Sequence, residues 1–239
     1  MCWVGKAMLE FEGATRRFRG GAGVCGLTFR IEPGEIVAVI GLNGAGKTTL
    51  MRLALGMLRP QRGTVRIFDH QVLSAPSDVQ AQVGALIEVP AAYPELTVRQ
   101  NLAVSSVLHG VSALRAEDSM KEWGLGSVSD RRFRRLSQGN KQRVGLAAAL
   151  LHDPRVIVLD EPGNSLDPAS VILLREQLLR RARDGAGILV SSHHLDEVSR
   201  IADRVLLMNA GRLIGELDTA GSDLEHAFFE RIRRDDERR

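Results

Sequence analysis

The sequence predicts an α/β fold with a small antiparallel sheet at its N-terminus and a helical insertion in its middle. Three observations predict it. Residues 36–40, Ile-Val-Ala-Val-Ile, are an apolar, mostly β-branched run of the kind buried on both faces of an α/β sheet. The run leads into Gly41-x4-Gly46-Lys47-Thr48 and then into the apolar periodicity of a helix, the order strand, glycine loop, helix that a phosphate-binding loop requires. Further short apolar runs recur at 83–87, 156–159, 188–190 and 205–208, with a long helical pattern from 97 to about 125 among them.

The bulk numbers fit this reading. A chain of 239 residues has room for one large domain or two small ones, and 44% apolar with 26% charged residues is ordinary globular composition. No apolar run approaches the roughly 18 residues of a membrane span. The first eight residues lack a basic region leading into an apolar stretch, so no secretory signal is expected. Cys2 follows no lipoprotein signal and position 2 is not glycine, so lipidation is not expected either. Cys2 and Cys25 suit neither a disulfide framework nor a metal site, and the chain reads as intracellular. Net charge is +3 with 28 Arg against 4 Lys, but 29 acids oppose a strong nucleic-acid footprint.

In chain order, residues 7–35 alternate polar and apolar in short runs punctuated by Gly20-Gly21 and Pro33-Gly34, which predicts the antiparallel sheet. Phe18 is either a base-stacking aromatic or a core residue. In the glycine loop the missing Cβ atoms let backbone approach an anion, so the stretch Gly41, Asn43, Gly44, Ala45, Gly46, Lys47, Thr48 and Thr49 is the candidate phosphate cradle. Lys47 would reach the β- and γ-phosphates and the Thr48 hydroxyl would ligate magnesium. A helix over 48–58 is expected to stop at Pro60, followed by a strand over 64–68. The strand at 83–87 runs into Glu88, Pro90 and Pro94, a loop leaving one unit for another. The basic run 131–135 is either a nucleic-acid patch or a solvated ion-pair cluster, the second being the commoner case.

Leu136-Ser137-Gln138-Gly139 opens a helix to 152 with Ser137 as cap, a second helix start able to face an anion. The strand 156–159 ends in Asp160-Glu161-Pro162, where ligands bind in α/β sheets. Asp160 suits a magnesium site and Glu161 the activation of an attacking water. After the strand 188–190, His193 and His194 have the spacing of metal ligands but no third partner; one of them reads better as a donor to the γ-phosphate. The strand 205–208 and the 209–212 turn predict a hairpin into 213–217, and a last helix over about 222–233 is expected to fray into Arg-Asp-Asp-Glu-Arg-Arg.

Together these motifs resemble the ATP-binding subunits of ABC transporters over essentially the whole chain. Residues 41–49 match the Walker A motif, 136–140 resemble the signature sequence, and 156–161 resemble Walker B with its catalytic glutamate. Ser165-Leu166-Asp167 looks like the D-loop and His193 like the switch histidine. The resemblance implies a P-loop NTPase core with a mostly parallel sheet. It implies one nucleotide-binding domain over 1–239, with core residues about 1–88 and 152–239 and a helical subdomain about 89–151. It makes Phe18 an adenine-stacking residue. It adds Ser137, Gly139 and Asp167 to the ATP-binding set and places magnesium at Thr48, Glu88 and Asp160. Catalysis would rest on Lys47, Glu161 and His193.

Three departures stand out. The signature reads Leu-Ser-Gln-Gly-Asn where Leu-Ser-Gly-Gly-Gln is commonest, and the D-loop carries Gly163 and Ser165. Glu88 stands where the family usually has glutamine, which is similar to exporters of bacitracin and lantibiotic type, whose permeases are separate polypeptides. Glutamate offers two acceptors, no donor and, when ionised, a negative charge. The implied function is ATP hydrolysis powering export of a drug, antibiotic peptide or lipid-like substrate. The implied partners are a second copy of the chain, closing an ATP sandwich, and an integral-membrane permease. The implied place is the cytoplasm, peripheral on the inner face of the membrane, with no nucleic acid bound. The alternative is a soluble ATPase of the same head acting on nucleic acid, the ribosome or cofactor assembly. A catalytically dead scaffold is disfavoured by the presence of Lys47, Asp160, Glu161 and His193.

Overall fold

The computed structural model describes residues 6–217 and 224–238; the expectations for the first residues, Cys2 among them, lie outside the described part. β1 (Leu9–Arg17) and β2 (Gly23–Ile31) form a hairpin, and β3 (Ile36–Ile40) enters a second sheet before the glycine loop and α1 (Lys47–Ala54). β4 (Arg62–Ile67) returns to pair with β1, and β5 (His70–Gln71) pairs with β4. These four strands make an antiparallel sheet in the order β2-β1-β4-β5. After the short α2 (Ser77–Gln80), β6 (Val83–Leu86) joins the second sheet, and α3 (Val98–Leu108), α4 (Ala113–Glu122) and α5 (Gln138–Leu150) follow without intervening strands. Then come β7 (Val156–Leu159), α6 (Pro168–Arg183), β8 (Gly187–Ser192), α7 (Leu195–Val198), β9 (Arg204–Asn209), β10 (Arg212–Leu217) and α8 (Leu224–Glu237). No helix among the described residues is long and apolar enough to cross a membrane.

The second sheet has the order β10-β9-β3-β8-β7-β6; every neighbouring pair is parallel except β10 on β9. Alternate side chains of β3 serve opposite cores. Ile36, Ala38 and Ile40 pack toward a core shared with α3, α5 and α6, while Val37 and Val39 pack toward one shared with the antiparallel sheet and α1. A strand with both faces buried has no polar face, which is why its sequence is continuously apolar.

Several boundaries differ from the sequence reading. α1 stops at Ala54, not at 58. Gly56 takes φ +67, its N–H donates to Leu53 O at 3.1 Å, and the Met57 N–H donates to Arg52 O at 2.9 Å. That pattern is the glycine-terminated Schellman cap, so Gly56 ends the helix before Pro60 can. The helical stretch from 97 is two helices, broken at His109-Gly110, where Gly110 has φ +65. α6 was not anticipated at all; Asp167 caps it and Pro168 occupies its first turn. The C-terminal segment does not fray at 234. α8 continues to Glu237 because Phe228 and Ile232 are buried, and because Asn209 Nδ2 donates to Asp235 and Asp236, each at 2.9 Å. In the basic run, Phe133 is buried and Arg132 and Arg134 both pair with Glu95, the ion-pair outcome.

His109, capping the end of α3, stacks on His152 beyond α5, with ring centroids 3.7 Å apart. Burial first, and the His109 charge second, push the His152 imidazole down to about 4; burial lowers His109 as well. The folded state therefore binds fewer protons than the unfolded chain between pH 6.5 and 4. Stability is held above the ordinary histidine value and lost as pH falls through that window, by about 1–3 kcal/mol. Urea titrations at stepped pH should show this loss in the native chain, and His152→Gln should flatten it; an equally steep profile in the variant would acquit the histidine pair.

Candidate functional site

Parallel register sets the site. Ile40 of β3 lies opposite Ser192 of β8, Leu159 of β7 opposite Val190, and Leu86 of β6 opposite Leu159. The residues that follow each strand, Gly41, His193, Asp160-Glu161 and the segment containing Glu88, therefore emerge at one edge of the sheet. That carboxyl edge is where open α/β sheets bind ligands.

The glycine loop is held from below. A Cβ at Gly41 would sit 2.3 Å from Met208 O, and one at Gly46 would sit 2.9 Å from Met208 Cε and 3.0 Å from Val24 Cγ1, where φ is already +107. The Gly211 N–H donates to Ala45 O at 2.8 Å, fastening the loop to the β9–β10 turn. Gly44, at φ +83, has nothing within 4 Å of its missing Cβ and faces open space. The first amides of α1 have no acceptor within the helix and point out of its positive end. Lys47 is only 6% exposed and curls back, Nζ donating to Gly41 O at 2.7 Å.

Asp160, buried at 5% exposure, uses both carboxylate oxygens. Oδ2 accepts from the Thr48 hydroxyl at 2.7 Å and Oδ1 from the Ser191 hydroxyl at 2.5 Å. The Ser191 oxygen in turn accepts the Glu161 N–H at 2.8 Å. Glu161 sits at φ +50, with Oε1 3.3 Å from Lys47 Nζ and Oε2 2.5 Å from His193 Nδ1. The hydroxyl of Thr48 and the carboxylate of Asp160 are hard oxygen donors in direct contact, a set that suits magnesium. A cleft of about 560 Å³ runs over this ground, lined by Phe18, Gly44, Lys47, Thr48, Glu161 and His193 among others. A second, of about 420 Å³, shares Thr48 and Glu161 and adds Glu88, Gln142, Asp160 and Ser165.

Phe18 is at the rim, 38% exposed, with the Arg16 guanidinium 5.3 Å from its ring centroid. Asn43, Ala45, Gly46 and Thr49 line the first cleft too, while Gly41 lies beneath it. Ser137, Gly139 and Asp167 line neither cleft. Ser137 caps α5 by accepting the Asn140 N–H at 3.3 Å. Asp167 caps α6 through the Ser170 N–H at 2.7 Å, a bond that lowers its carboxyl pKa. Glu88 pairs with Arg52, Oε1 to Nη2 at 2.8 Å. Sequence reasoning missed Arg52, Ser191 and Gln142, whose side-chain amide donates to Pro162 O at 3.1 Å. Arg52 had a signal: it lies four residues after Thr48, on the same helix face.

The glycines separate packing from function. Gly41→Ala drives a methyl into a backbone oxygen and should cost about 3 kcal/mol, lowering Tm by roughly 6–12 °C. Gly44→Ala meets only the strain of left-handed backbone, about 1–2 kcal/mol, and should lower Tm by about 2–8 °C. Calorimetry of both variants decides it; equal shifts would mean the close approach at Gly41 is not a constraint.

Comparison with known proteins places the chain in a family. Residues 24–164 match the family model described as ABC transporter. The bacitracin transport ATP-binding protein BcrA of Bacillus licheniformis is 35% identical over 193 residues, covering 80% of this chain and 63% of BcrA. The chain thus spans less than two thirds of that relative. The ABC transporter ATP-binding protein NatA of Bacillus subtilis is 31% identical over 241 residues, covering 94% of this chain and 98% of NatA. A solved structure described as the ATP binding subunit of an ABC transporter superposes with a TM-score of 0.81 at 29% identity, covering 94% of both chains.

Proposed function

Because the chain belongs to the ABC transporter family, whose ATP-binding domains bind and hydrolyse ATP, we propose that it powers export through a separate membrane permease. The observation that carries the proposal is the meeting of Lys47, Thr48, Asp160, Glu161 and His193 across two clefts that share Thr48 and Glu161. The relative BcrA, named for bacitracin transport, supports an exporter over a soluble ATPase acting on nucleic acid, the ribosome or cofactor assembly. The cargo class is a drug, antibiotic peptide or lipid-like molecule, and the chain works in the cytoplasm against the inner membrane face.

The residues divide the chemistry. The cradle from Gly41 through Asn43, Gly44, Ala45 and Gly46 to Thr49 receives the phosphates, and Lys47 binds the β- and γ-phosphates. Phe18 stacks on the adenine. Thr48, Glu88 and Asp160 would hold magnesium, which supplies positive charge to the phosphate oxygens when bound. Glu161 takes a proton from the water that attacks the γ-phosphorus; the bond to ADP breaks and inorganic phosphate leaves. His193, oriented by Glu161, donates to the γ-phosphate. Ser137, Gly139 and Asp167 lie off the cleft of their own chain, and they serve the cleft of a second copy in an ATP sandwich. Residues 89–151 move as a helical subdomain against the core during closure, and Glu88 couples that motion to the permease.

Lys47→Ala should lose nucleotide affinity, whereas Glu161→Gln should bind ATP normally and lose hydrolysis by ~10²–10⁴-fold. Native turnover in Glu161→Gln would remove that carboxylate from the mechanism. In sedimentation, Glu161→Gln should be a dimer with ATP and a monomer with ADP, and Ser137→Arg should abolish the dimer. An ATP-bound monomer of Glu161→Gln would count against the sandwich.

A further inference from the structure

Three carboxylates face the paired clefts, and each has its own partner. Asp160 is bound by the hydroxyls of Thr48 and Ser191, and Glu161 lies against Lys47 and His193. Glu88 has gone elsewhere, to Arg52 at 2.8 Å. Its backbone is bent to do so. The Val89 N–H donates to Ile87 O at 2.7 Å, closing a three-residue turn with Glu88 at its centre and φ +58. A γ-turn with positive φ at a non-glycine centre is rare and strained. Arg52 stands one turn after Thr48 on α1, so the cation that holds Glu88 and the hydroxyl that meets Asp160 are neighbours on one helix face. Glu88 lines the same cleft as Thr48 and Asp160.

We propose that Arg52 is a positioning residue, a latch that holds the Glu88 carboxylate away from the metal site until magnesium and nucleotide arrive. One carboxylate has two cationic claimants on the same helix face. In the structure the guanidinium holds it; a divalent cation beside Thr48 and Asp160 would outcompete a single positive charge and draw Glu88 across. Glutamine would be held less firmly, because its amide oxygen can accept from a guanidinium but carries no opposite charge to pair with it. Arg52 and Glu88 have side chains 38% and 53% exposed, so the pair is weak enough to exchange. The latch rests on the assignment of Thr48 and Asp160 to magnesium made above.

The test is a double-mutant cycle on the full chain with Arg52→Gln, Glu88→Gln and the double variant. Gln keeps the helix propensity of Arg, so α1 is not at risk. Binding of trinitrophenyl-ATP is followed by fluorescence at 4 °C as MgCl2 is raised. Arg52→Gln should lower the half-saturating magnesium by about 2–5-fold, the size of a partly exposed ion pair. In the Glu88→Gln background the same change should shift the magnesium requirement much less. Affinity measured in EDTA should be equal in native chain and Arg52→Gln, and the magnesium shift should shrink at high salt. Without nucleotide, melting of the four proteins should show coupling between the two positions. An unchanged or raised magnesium requirement in Arg52→Gln, or the same shift with and without Glu88, overturns the latch. If the native chain fails to bind trinitrophenyl-ATP at any magnesium concentration, the nucleotide-site reading itself falls, and the latch with it.

Discussion

The buried carboxylate of Asp160 is the contact on which the site depends. It joins the start of α1 through Thr48, the end of β8 through Ser191, and its own strand β7, so three segments far apart in sequence are fixed to one another. An ionised carboxylate this buried is tolerable because both oxygens are hydrogen-bonded. Ser191 completes the arrangement by donating to Asp160 while accepting the Glu161 N–H. That last bond helps hold Glu161 in a left-handed conformation that a non-glycine residue resists. The result is a carboxylate aimed between Lys47 and His193 rather than back along the strand.

The charged side chains of the site are paired with one another. Lys47 is buried and satisfied by Gly41 O and Glu161, and Glu88 is satisfied by Arg52. A buried ammonium without such partners would carry a large desolvation cost. On the proposed reading, a triphosphate would compete with Glu161 for the Lys47 ammonium. Binding and chemistry would then be linked through one contact, since the carboxylate paired with Lys47 is the one proposed to activate water.

Much of this was legible in the sequence because it is local. The glycine loop, the strand ending in Asp160-Glu161 and the cap at Ser137 are each written in a few adjacent residues, and each lies where the sequence put it. The early end of α1 was legible too, in Gly56, but Pro60 is the louder signal and was given the role. The extension of α8 to Glu237 was not, since Asn209 and Arg212 reach Asp235 from a hairpin more than twenty residues earlier. Ser191 was hidden for a similar reason. A serine at a strand end is unremarkable until parallel register brings it beside Asp160.

The segment 163–165 stands between the second cleft and the Gly139 segment of its own chain. Gly163 lacks positive φ, and a Cβ there would meet only the movable end of the Glu197 side chain, at 2.7 Å from Oε2, so neither backbone nor packing demands glycine at this position. The left-handed position falls on Ser165 at φ +64, a conformation that costs a serine about 1–2 kcal/mol. Ser165 lines the cleft with Thr48, Glu88 and Asp160, while its carbonyl stands 2.7 Å from where a Cβ of Gly139 would be. One strained residue thus touches both the cleft of its own chain and the signature segment that, in the proposed sandwich, meets the cleft of the other. A two-fold pairing makes that contact reciprocal.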